Sequence, residues 1–236
     1  MKAQSYFVTG TDTGVGKTLT TALLAIRLRA QGIDAGVMKP MASGCERVNG
    51  VLTSEDAVFL RDATGVQDDL ELICPVLWEE PLAPLTAARR ANQPFFDAMP
   101  RVREALEELK RRHECVVVEG VGGLLVPLQQ SANGDFYTCA DFANELGLPV
   151  VVVARRTLGT MNHTLLTTSF PLQAPARFES LVFCDAQPVE ENDIAAQTSP
   201  QIISEMNGLP IWGEIPYLDD LSPENLQRVA EKHLRF

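Results

Sequence analysis

Apolar residues along this chain gather into short β-branched runs separated by stretches of helical period. "SYFVTG" (5–10), "DAGVMKP" (34–40), "CVVVEGVGG" (115–123), "LPVVVVAR" (148–155), "ESLVFCD" (179–185) and "LPIWGEIP" (209–216) read as strands. The runs at 115 and 148 are continuously apolar, as expected of central parallel strands covered on both faces. Between the strands, residues 17–31 place Leu24 and Leu28 on one stripe, with Gly32 positioned to end the helix. "TSEDAVFLRDAT" (53–64) predicts a short helix capped by Thr53 or Ser54, with two acids in its first turn. Residues 96–114 predict an amphipathic helix with Val102, Leu106 and Leu109 inward, and 222–234 predict a closing helix. Residues 43–50 are polar and read as a loop. The four prolines of 75–94 predict a loop with one short helix over the sheet edge. This rhythm specifies an α/β fold: one domain spanning 1–236, doubly wound, with a mostly parallel sheet and helices on both faces. No repeat, low-complexity tract or linker divides the chain.

Composition narrows the partners. At 236 residues and 45% hydrophobic content, the chain can bury a large core. A net charge of -11 argues against nucleic acid or an anionic membrane, since no basic block offsets the repulsion; small molecules are the expected partners. Five scattered cysteines without a CxxC pair, beside only three histidines, argue against a zinc or redox framework and suit a reducing compartment. There is no charged-then-apolar leader and no apolar run of membrane-spanning length, so a cytoplasmic protein is expected.

Ligands of an open parallel sheet bind at the carboxyl ends of its strands, and those ends are unusually polar here. The first carries "TGTDTGVGKT", whose Gly10, Gly14 and Gly16 let backbone N–H groups surround a phosphate at the start of the next helix. Lys17 would reach the β- and γ-phosphates and the Thr18 hydroxyl would bind Mg²⁺. Five residues rather than four separate Gly10 from Gly16-Lys17-Thr18, and the loop carries an acid, Asp12. The second strand ends in Lys39; a lone strand-end lysine is usually just solvated, but two cations aimed at one crevice need an anion between them. Ser43 is placed to hydrogen-bond the same anion. Glu119 ends an apolar strand, where a charge is costly unless a cation pairs with it. With Thr18, and with Asp56 as a third ligand, it offers an oxygen-rich Mg²⁺ shell. Gly120, Gly122 and Gly123 allow close ligand approach or simply form a tight turn. These residues point to ATP-dependent phosphoryl transfer in which Lys17, Lys39 and Mg²⁺ neutralise developing charge.

"YFVTGTDTGVGKT", "MKPMASGCE", "EDA", "VVVEGVGGLLVPL", "LPVVVVARRTLGTMNHTLLT" and "GEIPYL" resemble, in order and spacing, the ATP-dependent dethiobiotin synthetases, over nearly the whole chain and most loosely in its last third. The resemblance implies a homodimeric enzyme of the P-loop NTPase type that converts 7,8-diaminononanoate, CO₂ and MgATP to dethiobiotin, ADP and phosphate. By matching motif, Lys39 would hold a substrate carbamate and Lys17 the phosphates. Gly14, Val15, Gly16, Thr18, Leu19, Gly120, Val121, Gly122, Cys184, Asp185, Pro216, Tyr217 and Leu218 would contact the nucleotide. Thr18, Asp56 and Glu119 would bind Mg²⁺, and Thr13 and Ser43 the substrate. Gly159, Thr160 and Asn162 would open a helix that receives the substrate carboxylate from the neighbouring subunit.

The chain departs from that pattern at three positions. Cys184 stands where the family often has an asparagine that reads adenine, and a thiol lacks the paired donor and acceptor of an amide. Leu85 stands where many members have a histidine, and Gly14 where a glutamate is frequent. Switch ATPases of the partitioning kind carry a lysine two residues before the glycine of "GVGKT", where this chain has Asp12. They also use a basic or amphipathic targeting helix. An amide-forming synthetase would need a glutaminase domain with a nucleophilic cysteine. A non-catalytic relative remains an alternative, against which stands the set Lys17, Lys39 and Glu119. Asp12 itself is expected near the dimer interface or the substrate amines rather than facing phosphate.

Overall fold

Alternation within the apolar runs sorts side chains into two separate cores. Val8, Val37, Val117, Val151, Val153 and Val182 join one buried cluster, while Phe7, Met38, Val116, Val118, Val150 and Val152 join the other. Successive strand residues face opposite sides, so a run with no polar member demands a cover on each.

The computed structural model describes residues 3–92 and 98–236. β1 (Tyr6–Gly10) leads through the glycine loop into α1 (Lys17–Ala30) and β2 (Ala35–Met38). Next come β3 (Met41–Ser43), the hairpin of β4 (Glu46–Val48) and β5 (Val51–Thr53), α2 (Glu55–Thr64), α3 (Leu70–Ile73), β6 (Val76–Trp78) and α4 (Pro84–Arg90). Helix α5 (Met99–Arg112) returns the chain to β7 (Cys115–Gly123), which is followed by the hairpin β8 (Pro127–Gln130) and β9 (Phe136–Thr138), and by α6 (Cys139–Leu146). The remainder alternates strictly: β10 (Pro149–Ala154), α7 (Thr160–Thr168), β11 (Arg177–Cys184), α8 (Ile194–Asn207), β12 (Ile211–Ile215) and α9 (Pro223–His233).

Six strands form one sheet in the order β12-β11-β10-β1-β7-β2, with every pairing parallel. The α/β architecture and all six expected strands are therefore present. One cluster takes its helical cover from α1, α2 and α9, through residues such as Leu24, Leu60 and Leu226. The other takes it from α5, α6 and α8, through Leu106, Phe142 and Ile203. Val102, Leu106 and Leu109 of α5 are buried, as their period requires. The part of that expected helix before Ala98, like Pro94 of the proline-rich segment, lies outside the described residues.

Residues 43–50, expected as a loop, instead hold the end of β3 and the strand β4, which turns through Asn49 and Gly50 into β5. Both turn residues have positive φ, 52° and 85°, as a two-residue hairpin turn demands. The proline-rich segment contributes β6, parallel to β3, as well as the expected short helix α4. Strands of three residues are too short for a period to declare itself.

Two local devices shape the carboxyl edge of the sheet. Val8 pairs with Glu119 but Gly10 pairs with Gly123, so β7 carries two extra residues against β1. This bulge sits immediately after Glu119, where it re-aims the strand end. Helix α2 starts at a Ser54 cap whose hydroxyl accepts the Ala57 N–H, and this fixes Asp56 in the first turn.

Candidate active site

Gly16 is the residue from which α1 starts, with φ +92°, a conformation that favours glycine. A Cβ there would also lie 2.4 Å from the Cys184 Sγ. The loop thus rests directly on the end of β11. Lys17, the first helical residue, folds back so that its Nζ donates to the Asp12 carbonyl at 2.8 Å. Burial depresses the Lys17 ammonium below the usual lysine value, against the pull of Glu119, and the nearby Lys39 adds to the depression.

Lys39 lies just beyond β2 and reaches across to β7 and α2. Its Nζ stands 2.6 Å from Glu119 Oε1 and 2.8 Å from Asp56 Oδ2. The Thr18 hydroxyl donates to the same Glu119 Oε1 at 2.9 Å. Burial alone would lower the Lys39 ammonium, but the two carboxylates outweigh it and hold it well above the ordinary lysine value. Burial likewise pushes the Glu119 carboxyl upward, against the pull of Lys39. Glu119 Oε2 is buried and has no hydrogen-bond partner among the described residues. An orphaned carboxylate oxygen beside a hydroxyl and a second carboxylate is the hard, anionic donor set that suits Mg²⁺.

These groups open on one cavity of about 600 Å³. Thr13, Gly14, Gly16, Lys17, Thr18 and Leu19 line it from the loop; Lys39, Ser43, Asp56, Glu119, Val121 and Gly122 line it from the other strand ends and α2. Val15 and Gly120 are buried behind that surface. A wall of Pro81, Leu82, Ala83 and Pro84 closes the far side, which makes the proline-rich segment part of the site. A larger cavity of about 1270 Å³ lies among α2, α3 and α5, where arginines and carboxylates are mixed without the loop.

A second cavity, of about 380 Å³, begins on the opposite side of the glycine loop. It shares Gly14 and Ala186 with the first and is lined further by Arg155, Thr157, Asp185 and Gln187. Asp185 is buried, and its carboxylate is forked by Arg156, with Nε 3.1 Å from Oδ1 and Nη2 against Oδ2. Arg156 also reaches Glu214 at 3.4 Å. Cys184 contributes no surface to this cavity: its side chain is fully buried under Gly16, and burial first, with Asp185 second, pushes its thiol up to about 12. Pro216, Tyr217 and Leu218 follow β12 and line neither cavity, with Tyr217 exposed.

Asp12 faces outward. One carboxylate oxygen accepts the Thr13 N–H at 2.7 Å, and the other lies 3.6 Å from Arg155, which also donates to the Thr13 carbonyl. Gly159, Thr160 and Asn162 begin α7, outside both cavities; Gly159 is the left-handed residue before the helix, and the Thr160 hydroxyl donates to the Arg155 carbonyl. Sequence reasoning missed Arg155, Arg156, Thr157 and Gln187. The signal that found Lys39, a cation ending an apolar strand, was present twice over in Arg155-Arg156 after "VVVVA".

A family model described as an AAA domain matches residues 4–225. An ATP-dependent dethiobiotin synthetase of Thermodesulfovibrio yellowstonii is 38% identical over 235 residues, covering 99% of this chain and 96% of that protein. One from Bacillus velezensis is 37% identical over 231 residues, covering 98% and 94%. One from Anaeromyxobacter dehalogenans is 52% identical over 161 residues, covering 68% and 67%.

Proposed function

The chain belongs to the ATP-dependent dethiobiotin synthetases, and on that premise we propose how its own residues carry the reaction. The protein is an ATP-dependent ligase of biotin biosynthesis, joining CO₂ to 7,8-diaminononanoate and closing the ureido ring of dethiobiotin, with release of ADP and phosphate. One amine attacks CO₂ to form a carbamate, and a carbamate oxygen attacks the γ-phosphorus as ADP departs. The second amine then attacks the carbonyl carbon of the mixed carbamic-phosphoric anhydride, and phosphate leaves.

Lys17 and the loop N–H groups hold the β- and γ-phosphates, and Lys39 holds the carbamate anion beside them. Two ammonium groups on one crevice offset the charge that two anions bring together, which orients the attacking oxygen on the phosphorus. Ser43 and Thr13, on opposite walls, bind the substrate. Thr18, Asp56 and Glu119 would hold Mg²⁺, which when bound would neutralise charge on the phosphates. Glu119 Oε2, buried and without a partner among the described residues, supports that assignment. Among the described residues no group of three or more His, Cys, Asp or Glu could hold a metal ion; phosphate oxygens and water would complete a shell begun by these three side chains. The observation that carries this reading is the convergence of Lys39, Glu119, Asp56 and Thr18 beside the glycine loop.

The enzyme works as a homodimer in which Gly159, Thr160 and Asn162 bind the substrate carboxylate at the neighbour's cleft. Their position outside the cleft of their own chain, and the 91% exposure of the adjacent Leu158, support that arrangement. It acts in the cytoplasm on small molecules, with neither nucleic acid nor membrane as partner. Five buried, unbridged thiols favour a reducing setting, and among the described residues no helix is long and apolar enough to cross a membrane.

Phosphate release from MgATP, followed with and without 7,8-diaminononanoate and bicarbonate, tests the assignment. Release that requires the diamine is expected. Release indifferent to it refutes the reading.

A further inference from the structure

The two cavities that meet at Gly14 and Ala186 divide the work of binding a nucleotide. Lys39, Glu119 and Asp56 lie on the β7 and β2 side of the loop, so the terminal phosphate belongs there. The nucleoside end must then leave on the other side, toward β10 and β11, where the 380 Å³ cavity lies.

Few side chains in that cavity can read a base. The Cys184 thiol is sealed beneath Gly16. Both oxygens of Asp185 are engaged by Arg156, and its side chain is only 3% exposed. Arg155 is turned to the Thr13 carbonyl and Asp12. Two neutral polar groups remain, the Thr157 hydroxyl and the Gln187 amide. Gln187 is exposed and has no hydrogen-bond partner among the described residues. It stands two residues after Asp185, whose side chain is held by Arg156 and whose N–H donates to the Ile215 carbonyl at 3.0 Å.

We propose that Gln187 selects the base of the nucleotide. An amide presents one acceptor and one donor side by side. Adenine offers the complement, an amino group beside a ring nitrogen that only accepts. Guanine offers a carbonyl oxygen with an N–H and an amino group, which an acceptor-only carboxylate would suit better. The Arg156–Asp185 pair acts through the loop, as a positioning device for Gln187.

This inference rests on the nucleotide-dependent reading above, and its test separates the two. Binding of ATP and GTP, each with Mg²⁺ and without diamine, is measured by titration calorimetry for the wild type, Gln187→Ala and Gln187→Glu. The wild type should favour ATP over GTP by at least about tenfold, Gln187→Ala should lose most of that ratio, and Gln187→Glu should shift it toward GTP. In turnover, Gln187→Ala should raise KM for ATP while leaving kcat at saturation in place, a split that general damage to the loop would not give. A wild type without preference, or a ratio unchanged in Gln187→Ala, overturns the inference and leaves the reading of the enzyme standing. A wild type that binds neither nucleotide overturns both.

Discussion

Lys39 and Glu119 form a buried ion pair, 2.6 Å between Nζ and Oε1, with side chains 9% and 1% exposed. Removing one partner of such a pair strands the other, which typically costs about 3–5 kcal/mol. Lys39→Met should therefore destabilise the ligand-free protein by about 3 kcal/mol near pH 8 in urea unfolding, besides abolishing ring closure. The deficit should shrink on acidification. Burial already raises the Glu119 carboxyl above its ordinary 4.5, and losing Lys39 removes an opposing pull. A carboxyl raised in the folded state favours the native form as pH falls through that raised value, with the gain complete below 4.5. A deficit equal at about pH 8 and about pH 5 would rule out Glu119 as its source.

Thr18 and Glu119 share a hydrogen bond of 2.9 Å in the ligand-free protein and become joint metal ligands in the proposed site. Thr18→Ala should raise the Mg²⁺ concentration for half-maximal phosphate release at least about tenfold. Thr18→Ser, which restores the hydroxyl, should recover most of the loss. Equal Mg²⁺ dependence in wild type and Thr18→Ala would remove Thr18 from the metal site.

Much of this arrangement is legible in the sequence. Continuous valine runs announce strands covered on both faces, and "VVVEG" puts a carboxylate at the end of one. That Lys39 and Glu119 meet follows from the neighbouring positions of β2 and β7 in the sheet, which no local pattern encodes. Helix α8 is hidden in the sequence because Pro200 interrupts its period, although Pro200 itself is buried in the packed helix. The strands β3 to β6 are each three residues long, too few for alternation to show. Cys184 illustrates the opposite limit. Its place at the end of an apolar strand points to a group facing the nucleotide, whereas its surroundings are set by the approach of Gly16, a residue distant in sequence that the sheet order brings alongside.

Gly16 tolerates no side chain for two independent reasons, its φ of +92° and the Cys184 sulfur 2.4 Å from any added Cβ. The left-handed backbone alone costs an alanine about 1–2 kcal/mol. Gly16→Ala should therefore lose more than that in urea unfolding, and should lose nucleotide binding as the loop shifts. Cys184→Ala in the same chain relieves the sulfur contact but neither the φ strain nor the contact with the Cys184 Cβ at 2.9 Å. The double variant should recover only part of the stability. Additive losses in the double-mutant cycle would show that the thiol does not limit the loop.

The proposed dimer makes a prediction that a self-contained site cannot imitate. Lys39→Gln should be inactive. Asn162→Asp sets a carboxylate against the substrate carboxylate at the N-terminus of α7, and should raise KM for the diamine by about a hundredfold or more. Neither variant alone has a complete site if Lys39 and Asn162 act from different subunits. After subunit exchange in an equal mixture, half of the dimers pair one variant with the other, and each such dimer holds one site with both residues intact. Activity should recover to about a quarter of the wild type. If both residues served the same chain's cleft, every site in the mixture would still lack one of them, and no activity would return.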